Sequence, residues 1–285
     1  MVPLVFKYDE EGDRMQNKNP FAGLYAPLPD AKAYFDRIGY TDAPTPTLDC
    51  LGNLVKAHLQ SVPFENLDVF HGHKEPSLET EALFEKIVLN RRGGYCFELN
   101  GLFQKLLEDI GFFCSCHIGR IGHGQTFKYP ISHRVTVVQI AGERYFCDVG
   151  FGGPVPPEPA KIVLDTPFDS ANGHRYIFTK NGLEITLSME ENNAFSSVLS
   201  FVDTPADPVD FLSLNAFCAY SPIEPFVHKQ MVWRNTENGR CTLDGNTLRL
   251  HENGTVEEHM IEGEEQLRKV LLERFGIVYP GLLHL

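Results

Sequence analysis

RRGGYCFELNGLF, residues 91–103, is the stretch from which the rest of the chain can be read. Gly93 and Gly94 permit a tight backbone turn at little steric cost. A helical apolar period starts directly after them at Phe97, Leu99, Leu102, Phe103, Leu106 and Leu107. Cys96 then falls in the first turn of a helix, where free N–H groups and the positive end of the dipole favour an anion. Such a place favours a nucleophilic thiolate. Taken alone, the stretch fits equally a buried, inert cysteine of the kind found in many cores.

The chain of 285 residues is long enough for a large core with two or three sub-domains. Its hydrophobic fraction of 42% and charged fraction of 22% are those of a globular protein. No apolar run reaches the roughly 18–20 residues that span a bilayer. The opening MVPLVFKYDEEGDR lacks the apolar length and flanks of a signal peptide, so the expected location is the cytoplasm, with no membrane partner. A net charge of −13 argues against nucleic acid as the main partner. It still permits an anionic cofactor, because helix N-termini can hold phosphates locally. Seven scattered cysteines without an export signal read as reduced thiols.

Residues 1–28 show little periodicity and read as a flexible extension, within which Met15 is an alternative start. Asp30 caps a short helix, AKAYFDRI, that Gly39 ends. Thr47 caps a second helix carrying Leu48, Leu51, Leu54, Val55 and Leu59, and Pro63 stops it. A third helix is expected over 79–90, and the helix from Cys96 ends near Ile110 with Gly111 beyond it. From Phe112 the period becomes two. Strands are expected in FFCSCHIGRI, RVTVVQI and ERYFCDVGF, with a hairpin at Ala141–Gly142. HRYIFT, LEITLS and SSVLSFV extend this into an antiparallel sheet or small barrel. A short helix, DFLSLNAFC, follows; then come strands near 231–234, 247–251 and 256–260 and the helix EEQLRKVLLERF. The class is α+β.

A nucleophilic cysteine needs a base and a group that orients the base. His133 directly precedes the strand that runs into the Ala141–Gly142 hairpin, and Asp148 lies at the end of the strand after it. Folding about that hairpin brings the two side chains to the same end of the sheet. A carboxylate there would fix the imidazole's tautomer and raise its basicity. Read singly, His133 caps a strand and Asp148 starts a turn; with an activated cysteine upstream, the catalytic reading gains ground.

Other signals are weaker. Cys114, Cys116 and His117, with His123 nearby, do not have a usual structural-zinc spacing, so no metal is expected. Gly119, Gly122 and Gly124 do not form the dinucleotide-binding turn. The prolines at 44 and 46 and in PVPPEP, 154–159, read as rigid turns, and His71 and His73 as a solvated loop. Phe64, Phe97, Phe151 and Phe226 taken one at a time read as core.

Together, RGGYCFELN at 92–100, PFENL at 63–67, SHRV at 132–135 and DVGFGG at 148–153 resemble the arylamine N-acetyltransferases in content and order. The resemblance runs from about Asp30 to the FGI at 275–277. It implies an N-terminal helical bundle (29–111), a central antiparallel β-barrel (112–208) and a C-terminal α/β lid (209–285), with a papain-like Cys-His-Asp arrangement across the first two. It further implies that Cys96 is acetylated by acetyl-CoA, that His133 activates the thiol and that Asp148 orients His133. An arylamine or arylhydrazine then attacks the acyl-enzyme in a ping-pong cycle of the kind used in xenobiotic metabolism. Phe64, Phe97, Phe151 and Phe226 would line the acceptor pocket; Ser221, Gly152 and Gly153 would contact coenzyme A; Arg92 and Glu65 would pair near the site.

The lid segment SPIEPF, 221–226, departs from the family pattern. Some relatives carry hydroxyl residues where this chain has Ile223, Glu224 and Pro225, and Glu224 would repel the coenzyme's phosphates. Two other functions fit the same motifs: an amide synthase closing a macrolactam from a carrier-bound acyl chain, and a non-catalytic relative that binds aromatic ligands.

Overall fold

The computed structural model describes residues 19–122 and 128–284. Its helical part follows local sequence signals closely. The Asp30 carboxylate accepts from the N–H of Ala33 at 3.0 Å to open α1 (Ala31–Ile38), which Gly39 closes in the left-handed region. Thr47 accepts from the N–H of Cys50 at 3.3 Å to open α2 (Leu48–Ser61). A two-residue strand, β1 (Phe64–Glu65), and the short α3 (Leu67–Phe70) follow. The helix expected over 79–90 divides into α4 (Thr80–Phe84) and a π-helical turn, Glu85–Leu89. That turn carries Lys86, whose ammonium lies 2.7 Å from Glu98 and 2.8 Å from Asp68. α5 (Cys96–Ile110) has the predicted limits; Leu99, Leu102, Phe103, Leu106 and Leu107 are wholly buried.

Of the extension expected over 1–28, residues 1–18, with Met15, lie outside the described residues. Residues 19–28 are mostly exposed but anchored. Leu24 and Leu28 join the helical core, and the Thr80 hydroxyl donates to the Ala26 carbonyl at 3.1 Å. Two leucines offered enough apolar area to dock a segment that has no periodicity of its own.

Among the described residues, eight strands form one antiparallel sheet: β2 (Phe113–Ile121), β3 (His133–Ile140), β4 (Glu143–Cys147), β5 (Ala160–Lys161), β6 (Phe168–Asp169), β7 (Arg175–Asn181), β8 (Glu184–Glu191) and β9 (Ala194–Val202). Their order is β5-β4-β3-β2-β9-β8-β7-β6. A flat sheet of that many strands would be about 34 Å across. The chain joins its two edges between Lys161 and Phe168, a link that reaches at most about 25 Å. The sheet must therefore curl, and it does so around Phe146, Phe178, Leu187 and Phe201. It is barrel-like with an open seam, since the ladder order has two ends. The β3–β4 hairpin turns at Ala141 and Gly142, both at positive φ, and pairs Ile140 with Glu143 through Thr136 with Cys147.

The tail gives α6 (Phe211–Tyr220), then β10 (Met231–Thr236), β11 (Gly239–Asp244), β12 (Thr247–Glu252) and β13 (Thr255–Met260), and α7 (Gly263–Phe275). Its sheet is not confined to 209–285: β1 adds to its edge, pairing Phe64 with Trp233 and Glu65 with Val232. Val232, Leu243, Leu267 and Phe275 form a core between this sheet and α7. β11 escapes sequence analysis because only Cys241 and Leu243 mark its buried face. Among the described residues no helix is long and apolar enough to cross a membrane.

Candidate active site

Gly93 and Gly94 serve close packing here, not left-handed geometry. A Cβ on Gly93 would stand 2.0 Å from the Pro63 carbonyl oxygen, and one on Gly94 would stand 2.9 Å from the Glu98 side chain. The N–H of Glu65 donates to the Gly94 carbonyl at 2.9 Å, which ties this segment to β1. The Glu98 carboxylate accepts from the N–H of Tyr95 at 3.1 Å and caps α5. Cys96 is the first residue of that helix and is 3% exposed; its Sγ is 3.5 Å from the Ser132 carbonyl.

His133 Nε2 lies 2.6 Å from Asp148 Oδ2, and both side chains are buried. Asp148 Oδ1 accepts from Asn100 Nδ2 at 2.8 Å and from the N–H groups of Gly150 and Phe151 at 3.0 and 2.9 Å. With Nε2 committed to Asp148, Nδ1 is the ring nitrogen left for the Cys96 thiol. Burial alone would lower the His133 pKa, but Asp148 and Cys96 outweigh it and hold the ring protonated up to about 10. The sheet thus delivers a buried cation to the N-terminus of α5, beside a thiol.

A cavity of about 120 Å³ opens at Cys96 and His133. Phe64, Phe151, Phe226 and Trp233 are on its wall, and Phe64 stacks on Trp233 with centroids 3.9 Å apart. Phe97 is not among its lining residues. One position along a helix turns a side chain by about 100°, and Phe97 packs in the core edge-on to Tyr95 at 5.5 Å and against Phe211 at 5.9 Å. Gly152 lines this cavity and an adjoining one of about 460 Å³ that also includes Gly153. A Cβ on Gly152 would stand 1.3 Å from the Trp233 indole, and one on Gly150 2.8 Å from Cys96 Cα. Ser221 is not on the wall beside Cys96; it ends α6, donating its N–H to the Phe217 carbonyl at 2.9 Å. Glu224, three residues on, lines the cavity in its place.

Trp233 and Asn100 are thus site residues that sequence analysis did not select, and Glu224, noted there as a departure in the lid segment that would face the coenzyme's phosphates, stands on the wall beside Cys96. The signal for Trp233 was its being the single tryptophan of the chain. Asn100, one turn beyond Cys96, closes the RGGYCFELN motif but was given no role there. Cys116 and His117 point into separate bonds, to the Ala206 carbonyl at 3.2 Å and the Val202 carbonyl at 2.8 Å. His123 and Gly124 lie outside the described residues.

Behind the thiol, a buried cluster sets the angle between β1 and α5. Arg92 reaches Glu65 at 2.6 Å and Asp68 at 3.3 Å, while Lys86 binds Glu98 and Asp68. Three carboxylates face two cations. Burial pushes the Glu98 carboxyl up to about 7. At Asp68 burial also pushes up, but Lys86 and Arg92 outweigh it and bring that carboxyl to about 2.

The family model described as N-acetyltransferase matches residues 47–281. The arylamine N-acetyltransferase of Mycolicibacterium smegmatis is 33% identical over 87% of this chain and 92% of its own length. The solved arylamine N-acetyltransferase of Salmonella typhimurium is 29% identical, with a TM-score of 0.83 over 90% of this chain and 96% of that one. The structure of the Mycobacterium marinum arylamine N-acetyltransferase in complex with CoA is 31% identical, with a TM-score of 0.79 over 87% of this chain and 93% of that one.

Proposed function

The chain belongs to the arylamine N-acetyltransferase family and is an acyltransferase; on that premise we propose that it carries acetyl groups from acetyl-CoA to arylamines and arylhydrazines through a thioester on Cys96. The observation that carries this reading is the buried His133–Asp148 pair beside the Cys96 thiol, on the wall of an aromatic cavity.

In the first half-reaction His133 already holds the thiol's proton as the imidazolium, and the Cys96 sulfur attacks the acetyl carbonyl carbon. The imidazolium, held by Asp148, then returns a proton to the departing coenzyme A sulfur. The N–H of Cys96, free at the N-terminus of α5, is a donor available to the developing oxyanion. In the second half-reaction the amine nitrogen attacks the thioester carbonyl. The amine's proton passes to His133, and the Cys96 thiolate leaves beside the imidazolium, ready for the next cycle.

The aromatic lining of the cavity, Phe64, Phe151, Phe226 and Trp233, suits a flat ring. The relative solved with CoA supports acetyl-CoA as donor here. The cavity beside Cys96 adjoins the larger one along Ile121, Phe151, Gly152, Met231 and Trp233, and a long thioester arm could lie there. The seven free thiols suit a reducing cytoplasm. Initial rates at varied acetyl-CoA and aniline test the cycle: the reading requires parallel double-reciprocal lines and no turnover by Cys96→Ala. Intersecting lines, or turnover by that variant, would count against it.

A further inference from the structure

Glu224 is the single acidic side chain on the wall of the cavity beside Cys96, among the described residues. It is 2% exposed, and its Oε1 has no hydrogen-bond partner among those residues. Its backbone is fixed: the N–H donates to the Ser221 carbonyl at 3.1 Å, and the residue caps a single turn, Pro225–Val227. Among the described residues no Lys or Arg is on that wall. Burial pushes its carboxyl up to about 7.

Buried polar atoms are normally satisfied, and a carboxyl left without a partner destabilises the fold. On a cavity wall beside a thiol, a ligand that donates to it would supply the missing partner. The remaining wall is aromatic or aliphatic apart from Cys96, Ser132, His133 and Tyr129, and the Tyr129 hydroxyl donates to the Ile223 carbonyl at 2.9 Å. A ring seated here with its amine at Cys96 would therefore meet one strong acceptor, the Glu224 carboxylate.

We propose that Glu224 is a specificity-determining residue of the acceptor slot, selecting arylamines whose ring substituent is cationic or donates hydrogen bonds and rejecting those that carry a carboxylate. This rests on the acetyl-transfer reading above. Charged hydrogen bonds and like-charge repulsion in a dry pocket both act on the same ring position, so the selectivity runs in both directions.

The test uses three acceptors of nearly one shape at about pH 8, where the carboxyl is mainly ionised: 4-aminobenzamidine (cation), 4-aminobenzamide (neutral) and 4-aminobenzoate (anion). Wild type should rank them in that order by kcat/KM, and Glu224→Gln should shrink the cation-to-anion ratio at least about tenfold. Intact mass after acetyl-CoA alone reports Cys96 loading separately. If the variant and wild type load equally and rank the three acceptors alike, the assignment of Glu224 is wrong while the transferase reading stands. If Glu224→Gln changes the acetyl-CoA dependence of loading but not the ranking, the carboxylate faces the donor and the proposal also fails. If wild type never loads, the transferase reading itself falls.

Discussion

Asn100 Nδ2 donates to Asp148 Oδ1 at 2.8 Å, so the helix that begins with the thiol also holds the carboxylate that holds the imidazole. The same amide donates to the Arg134 carbonyl at 2.7 Å and accepts from the N–H of Val149 at 2.9 Å. One wholly buried side chain thus ties α5 to both strands of the hairpin. Asn100→Ala would remove all three of these bonds, leaving Asp148 Oδ1 with the N–H groups of Gly150 and Phe151, and a loss of about 1–3 kcal/mol of stability is expected. In the proposed cycle the pair it aligns carries the proton transfer, so kcat/KM should fall by about a hundredfold. Urea unfolding with steady-state kinetics checks both; full activity in the variant would mean that Asp148 needs no such tether.

The His133–Asp148 pair also makes stability depend on pH. An imidazole in the unfolded chain titrates at 6.5, whereas His133 in the fold holds its proton up to about 10. The folded value is raised, so its contribution is complete below pH 6.5 and is lost as pH rises through about 10. The stability difference between wild type and His133→Gln should narrow across that window in urea titrations. A difference that stays constant would show that the ring is not protonated in the fold.

Gly152→Ala should injure the slot more than the fold. The added Cβ would overlap the indole of Trp233, which must move and carry its stacking on Phe64 with it. A stability loss of about 1–3 kcal/mol is expected from overpacking, and kcat/KM for flat acceptors should drop by about tenfold or more. Since the chain has a single tryptophan, its fluorescence emission reports the displacement directly.

Lys86→Met would leave Glu98 and Asp68 without their ammonium, with Arg92 the remaining cation of the cluster. Breaking a buried charge set in this way is expected to remove about 3–5 kcal/mol, read as a lower urea midpoint. The loss should be smaller in acid, where Glu98, pushed up to about 7 by burial, takes a proton.

The parts of this fold written in local chemistry were legible in the sequence. The apolar period from Phe97 to Leu107 and the glycine at 111 define α5, and Ala141–Gly142 sets the register that carries His133 and Asp148 to one end of the sheet. What depends on distant partners was not legible. Nothing near Phe64 announces that it will pair with Trp233, far along the chain, and become the edge of another sheet. Phe97 shows the same limit at short range: adjacency to Cys96 does not say which face of the helix meets the cavity. Glu224 was visible as a departure from the family pattern, but its burial and unpaired oxygen come only from packing.

The most direct test of the account is the intact mass of the protein after brief exposure to acetyl-CoA, with and without an aniline acceptor. A gain of about 42 Da that maps to Cys96 and vanishes when the acceptor is added is the predicted result. Acetyl transfer to aniline without that adduct, or with the adduct confined to another cysteine, would contradict it.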